Sequence, residues 1–138
     1  MVITITSLKL RHWWGFFKLS LLGLKIVRQT KTQKGFVEMK NRGFGYLHFT
    51  LSVWESEADA KNFARSGAHL EAMKESRKLA TEIRIYTFQG EKIPNWRKVK
   101  RLLRERGKVF SFGNQTNPKF AGRAVGYERT IQYESIEK

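Results

Sequence analysis

Three histidines, His12, His48 and His69, are the side chains here that exchange a proton near neutral pH. His69 follows a Ser66-Gly67 break in a helical stretch. Its ring could serve as a general base, donate to a carbonyl or ligate a metal, or it could cap backbone groups and pack. His48 lies within an alternating strand, where it either lines a pocket or sits satisfied in an interface. His12 precedes Trp13 and Trp14 and reads as structural. Arg84, on the aromatic side of a later strand, needs an anion or a generous hydrogen-bond set if it is taken out of water. That anion could be a carboxylate, a phenolate or a glutamate across an interface. Tyr46, Trp54 and Tyr86 offer flat apolar surface to a ligand or to a partner subunit.

Other chemistries are excluded or lack their residues. The chain has no cysteine, so disulfides, thiolate metal sites, iron–sulfur clusters and a cysteine nucleophile are ruled out. Gly43-x-Gly45 enters a strand and is not a strand–loop–helix phosphate cradle. No HExxH or paired-histidine spacing supports zinc. Neither a Ser-His-acid set nor two carboxylates on one face can be recognised, so a hydrolase is not expected.

The elements that must position these residues follow from periodicity. Val2 to Leu10 alternates as a strand, with Ile3 and Ile5 opposite Thr4 and Thr6. A helix is expected from about His12 to Thr32, stopped near Gly35. Phe36 to Lys40 is a short strand and Asn41-Arg42-Gly43 a turn. Phe44 to Trp54 is the clearest strand, with Leu47, Phe49, Leu51 and Val53 on one face and Tyr46, His48, Thr50, Ser52 and Trp54 on the other. Ser56 caps the next helix, with Asp59 three residues on. A second helical piece spans Ala68 to Leu79, and a strand spans Thr81 to Gln89. Pro94 opens a basic helix from Asn95 to Arg106, which Gly107 ends.

This order of strand, helix, strand, strand, helix, strand is the ferredoxin-like α+β arrangement, with an antiparallel sheet and helices on one face. We expect a domain at 1–112, carrying the basic helix, and an extension at 113–138. The helices are expected to cover Ile3, Ile5, Leu47, Phe49, Leu51, Val53, Ile83 and Ile85. That leaves Thr4, Thr6, Tyr46, His48, Thr50, Trp54, Arg84, Tyr86 and Phe88 on an open face too aromatic to stand idle in water.

The 138 residues carry a net charge of +15, and 41% of them are apolar. The charge is uneven. Residues 1–50 hold nine basic and one acidic residue, 51–90 hold six of each, and 91–112 hold eight against two. In the basic helix Arg97, Lys98, Lys100, Arg101 and Arg104 can contact an anionic surface, lipid or nucleic-acid phosphate, or simply be solvated. The apolar run Trp13 to Val27 is too short and too charged to span a bilayer, which takes about 20 apolar residues. It reads as a core-packing helix or as an interfacial one. No signal peptide is recognised, so a cytoplasmic protein is expected, with peripheral membrane contact as an alternative.

Two resemblances address the open face. Arg42-Gly43-Phe44-Gly45-Tyr46-Leu47-His48-Phe49 resembles the RNA-recognition-motif signature, which implies base stacking on Phe44 and Tyr46. The first strand, however, offers Thr4 where that family offers an aromatic. Residues 44–96 resemble the dimeric α+β-barrel proteins related to antibiotic-biosynthesis and spheroidene monooxygenases. The residues concerned are Trp54-Glu55-Ser56, Lys61-Asn62-Phe63-Ala64-Arg65-Ser66-Gly67-Ala68-His69 and Met73. This second resemblance implies a homodimer and a pocket between the sheet and its helices. It also implies oxidation of an apolar aromatic or isoprenoid ligand, with no cofactor or with haem. On this reading the chain is monooxygenase-like or a small-molecule binder. His69 would handle a proton or ligate haem iron, Arg84 would hold a polar end of the ligand, and Tyr46, His48, Trp54 and Tyr86 would pack it. An RNA-binding module and a peripheral membrane protein are the alternatives.

Overall fold

A computed structural model describes residues 1–112 and 133–135. Five antiparallel strands, β1 (Val2–Leu10), β2 (Phe36–Phe44), β3 (Leu47–Trp54), β4 (Ala80–Gln89) and β5 (Lys108–Ser111), form a sheet of order β2-β3-β1-β4-β5. β6 (Tyr133–Ser135) adds a parallel partner to Thr87–Gln89 of β4. The central strand β1 runs beside β3 and β4, as the ferredoxin-like arrangement requires. Helix α1 (Gly15–Lys31) connects β1 to β2, while α2 (Glu57–Ala64) and α3 (Gly67–Leu79) connect β3 to β4. Helix α4 (Trp96–Arg106) follows β4.

Local chemistry sets these boundaries. Ser56 accepts from the Asp59 amide at 3.1 Å, the N-cap read from the sequence. Asn95 does the same for α4, accepting from the Lys98 amide at 2.9 Å. Val99, Leu102 and Leu103 then fall on one side of α4 and are buried. Gly107 closes α4 by donating to the Leu103 carbonyl.

The sheet is covered on both faces, which corrects the expectation of helices on one face only. Directly opposed residues share a face, and the register pairs Ile3 with Val53 and Phe88, and Ile5 with Leu51 and Tyr86. These six side chains pack beneath Val99, Leu102 and Leu103 of α4. The other face carries Thr4, Thr6, His48, Thr50, Ser52 and Trp54, and it is this face that α1, α2 and α3 cover. The alternation holds as expected, but the faces are exchanged. β4 also joins them in the opposite phase. Ile83 pairs with Leu8 and Ile85 with Thr6, on the side of α1–α3, whereas Arg84, Tyr86 and Phe88 lie on the α4 side.

The turn is also relocated. β2 continues through Asn41, Arg42 and Gly43 to Phe44, and the chain reverses at Gly45-Tyr46, with Gly45 at φ +60°. Phe44 and Tyr46 therefore do not share a strand, and the RNA-recognition pattern loses the continuous strand on which its two stacking aromatics depend. Gly43 is needed within β2 for a separate reason. It lies opposite His48, and a Cβ there would fall 2.1 Å from His48 Nδ1.

Candidate functional site

The polar strand face and the helices above it line a cavity of about 1700 Å³ that is partly open to solvent. This exceeds the roughly 300–1,000 Å³ usual for a small-molecule pocket, so it suits an extended ligand. Its floor is hydroxyl-bearing: Thr4, Thr6, Thr50 and Ser52 project from neighbouring strands. Thr4 and Thr87 hydrogen-bond to each other across β1 and β4 at 3.0 Å. Its roof is apolar and is built from Leu19, Gly23, Ile26 and Val27 of α1 and Ala72 and Met73 of α3.

Trp54 closes one end. Its indole is 1% exposed, and its N–H donates to Ser52 Oγ at 3.1 Å, so the ring is satisfied within its own strand. From it runs a chain of rings: Phe36 to Trp54 at 5.7 Å, Trp54 to Phe63 at 4.7 Å, and Phe63 to His69 at 4.7 Å between centroids. Phe63 is positioned by α2 and His69 by the first turn of α3, so the Ser66-Gly67 break bends the chain to bring the two rings together.

The ionisation of His69 is displaced. Burial holds its pKa below the ordinary histidine value, against a smaller opposing push from its hydrogen bond to the Ala64 backbone. Nδ1 stands 3.2 Å from the Ala64 carbonyl. A carbonyl only accepts, so Nδ1 carries the proton and the neutral ring keeps its lone pair on Nε2. The His69 backbone N–H donates to Gln29 Oε1 of α1 at 3.0 Å, while Gln29 Nε2 donates to the Ser66 carbonyl at 3.0 Å. Gln29 therefore ties the helix break to α1, a role that its position in the sequence did not signal.

His48 lines the opposite end of the cavity beside Phe16, at 5.6 Å between rings. Its Nε2 donates to the Gly45 carbonyl at 2.9 Å. His48, Trp54 and His69 thus border one cavity, as the sequence reading expected of them. The remaining residues stand elsewhere. Tyr46 is half exposed in the hairpin turn. Arg84 lies on the α4 side and binds Glu82 through Nε at 2.7 Å. Tyr86 belongs to the core beneath α4, stacked on Phe88, and meets the cavity only at its margin, where Arg106 donates to its hydroxyl at 3.4 Å. Arg97, Lys98, Lys100, Arg101 and Arg104 form the exposed side of α4, with Lys100 over the Phe49 ring at 5.3 Å. Among the described residues no cluster of histidine, aspartate and glutamate could hold a metal ion.

No family profile matches the chain, and no curated protein is significantly similar to it in sequence. Solved structures are similar in fold. A protein of Deinococcus radiodurans, provisionally described as an antibiotic biosynthesis monooxygenase, superposes with a TM-score of 0.61 at 15% identity, covering 69% of this chain and 97% of its own. SnoaB of Streptomyces nogalater, a cofactor-independent oxygenase, gives a TM-score of 0.56 at 14% identity, covering 67% of this chain and 94% of its own. A conserved protein of Methanosarcina mazei gives 0.59 at 13% identity, with 66% and 94% covered. The chain therefore has the ferredoxin-like α+β fold found in antibiotic biosynthesis monooxygenase proteins.

Proposed function

We propose that the protein binds an apolar, aromatic or isoprenoid small molecule in the cavity between the sheet and α1–α3, and that it acts on aromatic ligands as a cofactor-free monooxygenase. The observation that carries this reading is His69, a partly buried neutral imidazole whose Nδ1–H is held by Ala64 and whose Nε2 keeps its lone pair. Such a group can take the proton of a phenol positioned among Trp54, Phe63 and the strand hydroxyls. The resulting phenolate is electron-rich enough to reduce dioxygen. One oxygen atom enters the ring carbon, giving a quinone, and the other leaves as water, so phenol and dioxygen balance quinone and water. A homodimer, which the resemblance in residues 44–96 implies, belongs to this reading as the working assembly. Light scattering of the purified protein tests it.

Haem is the second cofactor state to consider. A histidine that donates Nδ1–H to a backbone carbonyl is oriented as a metal-ligating histidine is. His69 would hold the iron, and the haem would supply redox chemistry for an isoprenoid ligand. A Soret band that appears on haem addition and is lost in His69→Ala would assign that ligand role.

The cofactor-free reading is tested by titrating 2-naphthol against tryptophan fluorescence and by following oxygen uptake. Saturable quenching is expected, with uptake reduced about 10²- to 10⁴-fold in His69→Gln at unchanged binding. Binding without uptake in the wild type removes the oxygenase half of the reading. Absence of binding up to millimolar 2-naphthol removes both halves for aromatic ligands.

A further inference from the structure

The side of α1 that faces away from the sheet is apolar. Phe17, Leu21 and Leu24 recur at helical spacing and are 64%, 63% and 59% exposed. Trp13 and Trp14, just before the helix, extend the stripe at 67% and 56% exposed. Large apolar side chains left contiguous in this way mark an interaction surface. Within this segment the charge has a single sign, and the acidic side chains beside the stripe are Glu71 and Glu75 of α3. Between Arg11 and Lys34 there are six basic residues and no acidic one. Lys25, Arg28 and Lys31 are exposed. Lys18, at the edge of the stripe, is joined to Glu75 of α3 at 2.8 Å.

We infer that α1 lies flat on an anionic membrane surface, with Trp13, Trp14, Phe17, Leu21 and Leu24 at the headgroup–acyl boundary and Lys25 and Arg28 on lipid phosphates. Two observations favour this occupant. Tryptophan and phenylalanine beside lysine and arginine is the composition of interfacial helices, and tryptophan prefers the headgroup level. Among the described residues no helix is long and apolar enough to cross a membrane, so α1 would rest on the surface and not span it. The orientation is also determined. α4 lies across the sheet from α1, so its basic side faces away from a flat surface that α1 touches. Phe16 and Leu24 are exposed and also border the cavity, so a docked α1 places the cavity rim against lipid. Entry of an apolar ligand by that route rests on the function proposed above, whereas docking itself does not.

The test is co-sedimentation of the full chain with ligand-free vesicles, either phosphatidylcholine alone or with about one third phosphatidylserine, at low and high salt. Binding is expected to the phosphatidylserine vesicles, to weaken with salt, and to blue-shift tryptophan emission. It should fall about tenfold in Trp13→Ser/Phe17→Ser and in Lys25→Glu/Arg28→Glu. It should persist in Arg97→Glu/Arg101→Glu. All these positions are exposed, and circular dichroism checks that each variant is folded. Loss of binding in the α4 variant with retention in the α1 variants would overturn the inference and assign the surface to α4. A dimer that dissociates in Trp13→Ser/Phe17→Ser, with no vesicle binding in the wild type, would overturn it in favour of a second copy. Because the vesicles carry no ligand, failure of docking leaves the oxygenase reading untouched.

Discussion

The two faces of the sheet are built on opposite principles. Beneath α4 the strands offer Ile3, Ile5, Leu51, Val53 and Phe88, and one short helix seals them with three buried aliphatic side chains while keeping its outer surface basic. Beneath α1–α3 the same strands offer threonine, serine and histidine, and the helices stand off to leave a cavity. One face supplies stability through close packing. The other forgoes part of that packing and keeps hydrogen-bonding groups available. Binding sites in such a fold are therefore to be sought on the strand face that looks too polar to be covered.

The largest effect that could break this contrast comes from the packed face. Leu103→Ala should cost about 2–5 kcal/mol in urea unfolding, because the cavity it leaves is lined by side chains already in contact. Thr6→Val, on the cavity floor, should change stability by less than about 1 kcal/mol. Equal costs at the two sites would abolish the distinction between the faces. Gly43→Ala comes next, at about 1–2 kcal/mol, since the new methyl group must displace the His48 ring. The shift would register in the His48 imidazole NMR signals, and an unmoved ring would contradict the close approach.

The third effect is absent at pH 8 and appears only in acid. In the unfolded chain His69 takes up a proton near 6.5, and in the folded chain only at lower pH. The unfolded state therefore binds more protons as pH falls through 6.5 toward the folded value. The stability contributed by keeping this ring neutral is complete above 6.5 and is lost below it. His69→Gln should flatten the decline in urea midpoint between pH 8 and pH 5. An unchanged slope would show that other groups govern acid sensitivity.

Much of the fold was legible in the residues. Ser56, Asn95 and Gly107 marked helix ends because capping chemistry is local. Alternation in β1 and β3 separated the two faces correctly, and Trp54 and His69 were read as neighbours of one pocket. Which face would be packed was not legible, because the apolar stripes of α1 and α4 compete for the same isoleucines and valines and only topology decides between them. Arg84 and Tyr86 were misplaced for a related reason. In β4 both phases carry large side chains, Ile83 and Ile85 against Tyr86 and Phe88, so alternation alone cannot align it with β1. The hairpin turn was misread because Gly43 and Gly45 look alike in sequence. One makes room for a ring and the other reverses the chain. β5, with four residues, was too short to register as a strand.

The bond between Gln29 and the backbone of His69 has a mechanical consequence. Gln29 lies near the end of the helix whose other side carries Phe17, Leu21 and Leu24. Through that bond α1 holds the first turn of α3, the turn that sets the His69 ring against the Ala64 carbonyl that fixes its tautomer. The outer side of α1 and the His69 imidazole are thus one side chain apart.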